Sequence, residues 1–171
     1  MPNAGHILIA DDDSDYAVLV QIALTQAGIY NPVEIVNNGL EVVQYLKGEG
    51  PYADRGAHPI PCLVLMDVRL PLRHGFEVLR WIRRQPQFRD LVVAMLSGSG
   101  FENEAQVARD LGATTFLVKP LRFEVLVEML KEHKDSWLTA EAHAGPDWKL
   151  VANASKLAEV PKRRARTAVS K

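Results

Sequence analysis

Five short apolar runs punctuate the chain, at residues 6–10 (HILIA), 33–37 (VEIVN), 62–66 (CLVLM), 91–96 (LVVAML) and 115–118 (TFLV). Runs of this length, bounded by turn formers, predict strands, and near-continuous apolar character predicts strands buried on both faces. The second run alternates apolar with polar, as an edge strand does. Between the runs the spacing becomes helical. Ser14 can cap a helix reaching about residue 27, in which Tyr16, Leu19, Val20 and Ala23 fall at i, i+3, i+4 and i+7 on one predicted buried face. Further helices are predicted over 40–46 (ending at Gly48), 76–84, near 104–111 and over 122–136. The last carries Phe123, Leu126, Val127 and Leu130 on one side. Residues 48–61 (GEGPYADRGAHPIP) are dense in Gly and Pro and predict a loop. Strand and helix alternating five times predict an α/β fold with a parallel sheet covered on both sides.

The 171 residues suit one domain with a short appendage. A composition of 47% hydrophobic and 24% charged residues supports a packed core. The single cysteine, Cys62, excludes an internal disulfide and a Cys-rich zinc site; within its apolar run it reads as a small buried hydrophobe. No apolar stretch approaches the roughly 18 residues of a membrane span, and no secretory signal opens the chain. A cytoplasmic protein is expected. The net charge of −1 conceals an asymmetry, since residues 156–171 hold six Lys/Arg and one acid, leaving −6 on the first 155 residues.

In open parallel sheets, ligands bind beyond the carboxyl ends of the strands. The first predicted strand runs into Asp11-Asp12-Asp13, the third into Asp67, the fourth into Ser97 and the fifth into Lys119-Pro120. A carboxylate cluster, a hydroxyl and an ammonium therefore converge. Two carboxylates about 4 Å apart repel by roughly 4 kcal/mol at an effective dielectric near 20, which a divalent cation and Lys119 would offset. The obvious ligands are all oxygens, so the metal expected is hard, and Mg²⁺ fits best. An aspartate beside Mg²⁺, with a hydroxyl and a lysine opposite, is equipped to attack phosphorus and form an acyl phosphate. Asp67 is the candidate nucleophile, with Ser97 and Lys119 supporting the equatorial oxygens. Asp13 and Asp15 read as solvated or helix N-terminal acids.

These landmarks together resemble the receiver domain of two-component response regulators, over about residues 5–136. "HILIADDDSD" carries the family's acidic pair as Asp11 and Asp12, "LMDVRLPLRHG" its phosphoacceptor as Asp67, "VVAMLSGSG" its Ser/Thr as Ser97 and "TFLVKP" its lysine as Lys119. Phe116 matches the aromatic switch position that works with Ser97. The resemblance implies a flavodoxin-like (βα)5 strand order and a cis Pro120. It further implies Mg²⁺ held by Asp12, Asp67 and the backbone carbonyl of Arg69, with Asp11 acting largely through water. Three positions depart from the family pattern. His74 stands where Asp or Asn is usual, Gly98 replaces a small side chain, and Arg69 occupies a position that tunes phosphoryl lifetime. The long connection through residues 48–61 is similar to single-domain regulators that pair with phytochrome-type histidine kinases. The implied function is a phosphorylation switch receiving its phosphoryl group from a sensor histidine kinase, with a bacteriophytochrome as the kinase type that the subgroup resemblance implies. It is a signalling protein rather than a turnover enzyme.

Other readings fit less well. A haloacid-dehalogenase-like phosphatase would need D-x-D-x-[TV] after the first strand; Asp11–Asp15 lacks the Thr/Val, and Asp67 would have no role. A hydrolase triad of Ser97, His74 and an acid lacks the G-x-S-x-G elbow. Nucleic-acid binding by the basic end is disfavoured by the absence of interleaved aromatics and by the acidic body. The chain divides into a receiver domain (1–136), an arm (137–160) and a basic, disordered tail (161–171). The 35 residues after Ser136 are too few for an ordinary DNA-binding fold, so output is expected through protein contact or phosphorelay. The arm contains Trp137, Leu138, Trp148, Leu150, Val151, Leu157 and Val160, too apolar for disorder. It is expected to pack across a homodimer, with docking on its own domain as the alternative.

Overall fold

The computed structural model describes residues 5–26 and 28–119. Five strands, β1 (Ile7–Ala10), β2 (Val33–Val36), β3 (Leu63–Asp67), β4 (Val92–Ser97) and β5 (Thr115–Val118), form one parallel sheet in the order β2-β1-β3-β4-β5. Helices α1 (Ser14–Gln26), α2 (Gly39–Lys47), α3 (Gly75–Arg84) and α4 (Glu102–Asp110) join successive strands. This is the flavodoxin-like order, whose switch point lies between β1 and β3. The predicted helix 122–136, the arm, the basic tail and Pro120 lie outside the described residues. Among the described residues, no helix is long and apolar enough to cross a membrane.

Side chains alternate across the sheet and build a core on each face. Leu8, Val64, Met66, Val93, Met95 and Phe116 pack against α2 and α3, whereas Ile7, Ile9, Leu63, Leu65 and Leu96 pack against α1. Each such side chain, once buried, contributes about 1.5–3 kcal/mol, so the strand ends are carried on a rigid platform.

Several local features differ from the sequence-based expectation. On α1 the buried residues are Ala17, Val20, Ala23 and Leu24, while Leu19 is 54% exposed. Val18 and Ile22 are exposed too; the helix is apolar nearly all round, and its small alanines settle which side approaches the sheet. Asp13, not Ser14, caps it, its carboxylate accepting the Tyr16 N–H at 3.0 Å and its carbonyl the Ala17 N–H. Residues 48–61 are also more organised than a plain loop. They begin at Gly48, left-handed at φ 70°, where α2 ends, and include a 3-10 turn at Gly50–Tyr52. The Arg55 guanidinium donates to the carbonyls of Tyr45, Leu46 and His58, capping α2 and closing the loop. Cys62, expected to be buried, is only half-buried; its thiol donates to the His6 carbonyl at 3.3 Å, and burial pushes its pKa up, which disfavours the reactive thiolate.

Candidate active site

Register assembles the site. Ala10 lies opposite Met66 and Asp67 opposite Leu96, so Asp11, just past β1, faces Asp67 at the end of β3. Asp11 and Asp67 are buried, Asp12 is exposed, and carboxylate oxygens of the three lie within 4.8 Å of one another. Lys119, the residue after β5, reaches across the strand ends: its ammonium donates to Asp11 Oδ2 and, at 2.8 Å, to Asp67 Oδ2. The other oxygens take backbone donors, Asp67 Oδ1 from the Arg69 N–H at 2.9 Å and Asp11 Oδ1 from the Asp13 N–H at 3.0 Å. The Tyr16 ring lies 4.2 Å from the Lys119 ammonium, a cation–π contact.

Burial sets the electrostatics. It pushes the Asp11 carboxyl up, against the lowering effect of the Lys119 and Asp13 hydrogen bonds. For Lys119 burial acts downward, but the hydrogen bonds and charges of Asp11 and Asp67 together outweigh it and hold the ammonium above its ordinary range. Burial, with the charges of Asp11 and Asp67, raises the Tyr16 hydroxyl likewise. Three carboxylates against one ammonium leave the centre negative. Its donors are hard oxygens at close quarters, a set that fits a hard divalent cation.

The β3–α3 connection shapes the rim. Gly75 crosses directly over β3: a Cβ there would lie 2.2 Å from the Asp67 carbonyl oxygen, so any side chain would force the backbone to shift. Its N–H donates to the Val68 carbonyl at 2.9 Å. His74 caps α3, its Nδ1 accepting the Phe76 N–H at 3.3 Å. An imidazole acceptor thus performs the capping task that an Asp or Asn side chain commonly performs. Leu72, left-handed at φ 64° and 76% exposed, marks the tip of the loop. A cavity of about 530 Å³ opens above, lined by Asp12, Arg69, Leu70, Pro71, His74 and Glu104.

Ser97 is buried at the end of β4, and its carbonyl accepts the Lys119 N–H. Its hydroxyl is already engaged, donating to Glu104 and lying 3.0 Å from Ser99 Oγ. Glu104, in the first turn of α4, also accepts from the Ser99 hydroxyl and lies 3.5 Å from Arg69 Nη2. Its carboxyl is held below its usual range: burial opposes this, but hydrogen bonds from Ser97 and Ser99 and the Arg69 charge prevail. Phe116 sits in the α2/α3-side core, paired with Met95. Sequence reasoning brought Asp11, Asp12, Asp67, Ser97, Lys119 and Arg69 to one rim, but missed Glu104 and Tyr16. An acid in a first helical turn is indistinguishable in sequence from one that serves the helix dipole, and Tyr16 reads as a core aromatic. The Ser97–His74 pairing of a hydrolase triad does not form, because Ser97 bonds to Glu104 and His74 to a helix terminus.

Comparison with known proteins agrees with this geometry. The family model for the response regulator receiver domain matches residues 7–131. Response regulator Rcp1 of Synechocystis sp. is 29% identical over 77% of this chain and 88% of its own; its Mn²⁺-bound crystal structure superposes with a TM-score of 0.68, covering 82% of this chain and 99% of that one. The phosphorylated cyanobacterial phytochrome response regulator RcpA is 29% identical, with 81% and 96% of the two chains covered and a TM-score of 0.69. Response regulator RPA3017, from red light signalling of R. palustris, is 28% identical, with 82% and 99% covered and a TM-score of 0.73. With an acidic centre at the switch point of a β2-β1-β3-β4-β5 sheet and a family match spanning all five strands, the chain belongs to the response regulator receiver domain family, as a response regulator similar to those of phytochrome signalling.

Proposed function

We propose that Asp67 accepts a phosphoryl group from the phosphohistidine of a sensor kinase and that the acyl phosphate switches the protein between two conformations. The observation that carries this reading is the Asp67 carboxylate at the end of β3, with Lys119 on one oxygen and the Arg69 N–H on the other, beside an open acidic cavity. A carboxylate oxygen attacks phosphorus, the phosphorus–nitrogen bond to the imidazole breaks, and the neutral histidine departs with a proton. Lys119 and the Ser97 hydroxyl are suited to bind the transferred oxygens, and Arg69 lines their approach. Asp12, Asp67 and the Arg69 backbone carbonyl would hold Mg²⁺, with Asp11 beyond them; the ion supplies charge neutralisation for the phosphoryl oxygens.

Transfer adds about −1.5 to −2 of charge next to Ser97 and Lys119. Both adjoin β5, which carries Phe116, so phosphorylation biases how the β5 face packs. The likeness to RcpA and RPA3017 supports a phytochrome-type kinase as donor; a cytoplasmic location and signalling through protein contact complete the proposal. A homodimer through residues 137–160 rests on their apolar composition. The test is Asp67→Asn, which keeps the shape and removes the nucleophile. Acetyl phosphate should label the unsubstituted protein in the presence of Mg²⁺ and not in EDTA, and should not label the variant. Equal labelling of the variant would refute the assignment.

A further inference from the structure

The Ser97 hydroxyl carries a single proton, and that proton is committed to Glu104. Around the Glu104 carboxylate stand two hydroxyls and a guanidinium: Ser97 and Ser99 donate to Oε2, and Arg69 Nη2 lies 3.5 Å from Oε1. This is the donor set that an anionic phosphoryl group recruits, two O–H groups and an arginine around a cluster of oxygens. The carboxylate is mostly buried, with 16% of its side chain exposed, and it lines the cavity that opens above the acidic centre. It belongs to α4, whereas its partners belong to the ends of β3 and β4 and the loops that follow them, so it ties one helix to the rim of the site.

We propose that Glu104 is a positioning residue that occupies, before phosphorylation, the seat into which the phosphoryl oxygens move. The inference rests on the reading of Asp67 as phosphoacceptor. Ser97 cannot donate to a phosphoryl oxygen while it donates to Glu104, and a carboxylate beside the incoming group adds like charge. For the acyl phosphate to gain Ser97, Glu104 must leave, and its departure frees Arg69 as well. Glu104 therefore slows entry of the phosphoryl group and links that entry to the position of the first turn of α4.

The experiment follows phosphorylation by acetyl phosphate, in which a bond forms from an Asp67 oxygen to phosphorus and the bond from phosphorus to acetate breaks, releasing acetate. Rates are measured for the 171-residue chain and for Glu104→Gln and Glu104→Ala, with folding checked by circular dichroism. Gln keeps the size and removes the charge; Ala removes the acceptor altogether. Both should react faster, Ala by about tenfold, the factor that accompanies release of one charge-assisted hydrogen bond. In a Ser97→Ala background the acceleration by Glu104→Ala should be clearly smaller, because the hydroxyl it liberates is gone and only the relief of like charge and the freeing of Arg69 remain. A role confined to stabilising α4 would produce no such dependence on Ser97. Wild-type rates in both folded Glu104 variants, or an acceleration undiminished by Ser97→Ala, would overturn the proposal. Absence of any labelling in the unsubstituted chain would instead overturn the phosphoacceptor reading.

Discussion

Replacing Lys119 by Met removes the ammonium that holds Asp11 and Asp67 together while keeping most of the side-chain volume. The three side chains are 14%, 1% and 11% exposed, so little water is available to substitute for the lost charge. Carboxylate oxygens within 4.8 Å of one another, at an effective dielectric near 20, repel by about 3.5 kcal/mol. Breaking a buried ion pair by removing one member costs about 3–5 kcal/mol, so the two arguments agree. In EDTA at neutral pH, urea unfolding should show the variant less stable by about 3–4 kcal/mol. The pH dependence gives a second check. The Lys119 ammonium is held above its ordinary 10.5, so its stabilisation is fully present below about 10.5 and is lost as pH rises through the elevated folded value. The variant should lack that alkaline limb. Asp11, raised by burial, binds its proton more readily when folded, so the variant's deficit should narrow as pH falls. Added Mg²⁺ should stabilise the variant more than the unsubstituted protein, since the cation takes over the neutralising role. A variant within about 1 kcal/mol of the unsubstituted protein in EDTA would refute the reasoning, since loss of one member of a buried ion pair costs several times that.

Gly75→Ala would press a methyl group to 2.2 Å from the Asp67 carbonyl oxygen; because both partners are backbone, a loss of about 1–3 kcal/mol in urea unfolding is expected, together with slower labelling by acetyl phosphate. Glu104 is held below its usual 4.5, so its stabilisation is present above about 4.5 and is lost as pH falls through the lower folded value; Glu104→Gln should lack that part of the acid limb of a stability–pH curve. Ending the chain after Ser136 should leave a labelled domain that is more monomeric by light scattering, and a truncated chain as dimeric as the full one would show that the arm does not hold the dimer.

The strands were legible because a parallel sheet covered on both faces needs continuous apolar runs, and the runs ending at Ala10, Met66, Leu96 and Val118 stop where the polar site begins. Asp67 and Ser97 proved to be the last residues of their strands rather than the first beyond them, a shift of one residue that leaves their placement unchanged. Helix faces were less legible. Periodicity identifies a buried stripe only when the opposite side is polar, and Val18, Leu19 and Ile22 give α1 no polar minimum. The partners of polar groups were least legible, because they depend on three-dimensional approach. Ser97 and Glu104 are seven residues apart across a strand-to-helix loop, and no local pattern records their hydrogen bond. Arg55 reaching back to the end of α2 is of the same kind.

If Asp67 is the phosphoacceptor, the phosphoryl group resides on that one carboxylate. Treating the phosphorylated 171-residue chain with borohydride reduces an aspartyl phosphate to homoserine, and peptide mass spectrometry then reads its position. Homoserine is expected at residue 67, with Asp11 and Asp12 unmodified. Reduction at Asp11 or Asp12, or an acid-stable phosphoester on Ser97 with Asp67 intact, would contradict it.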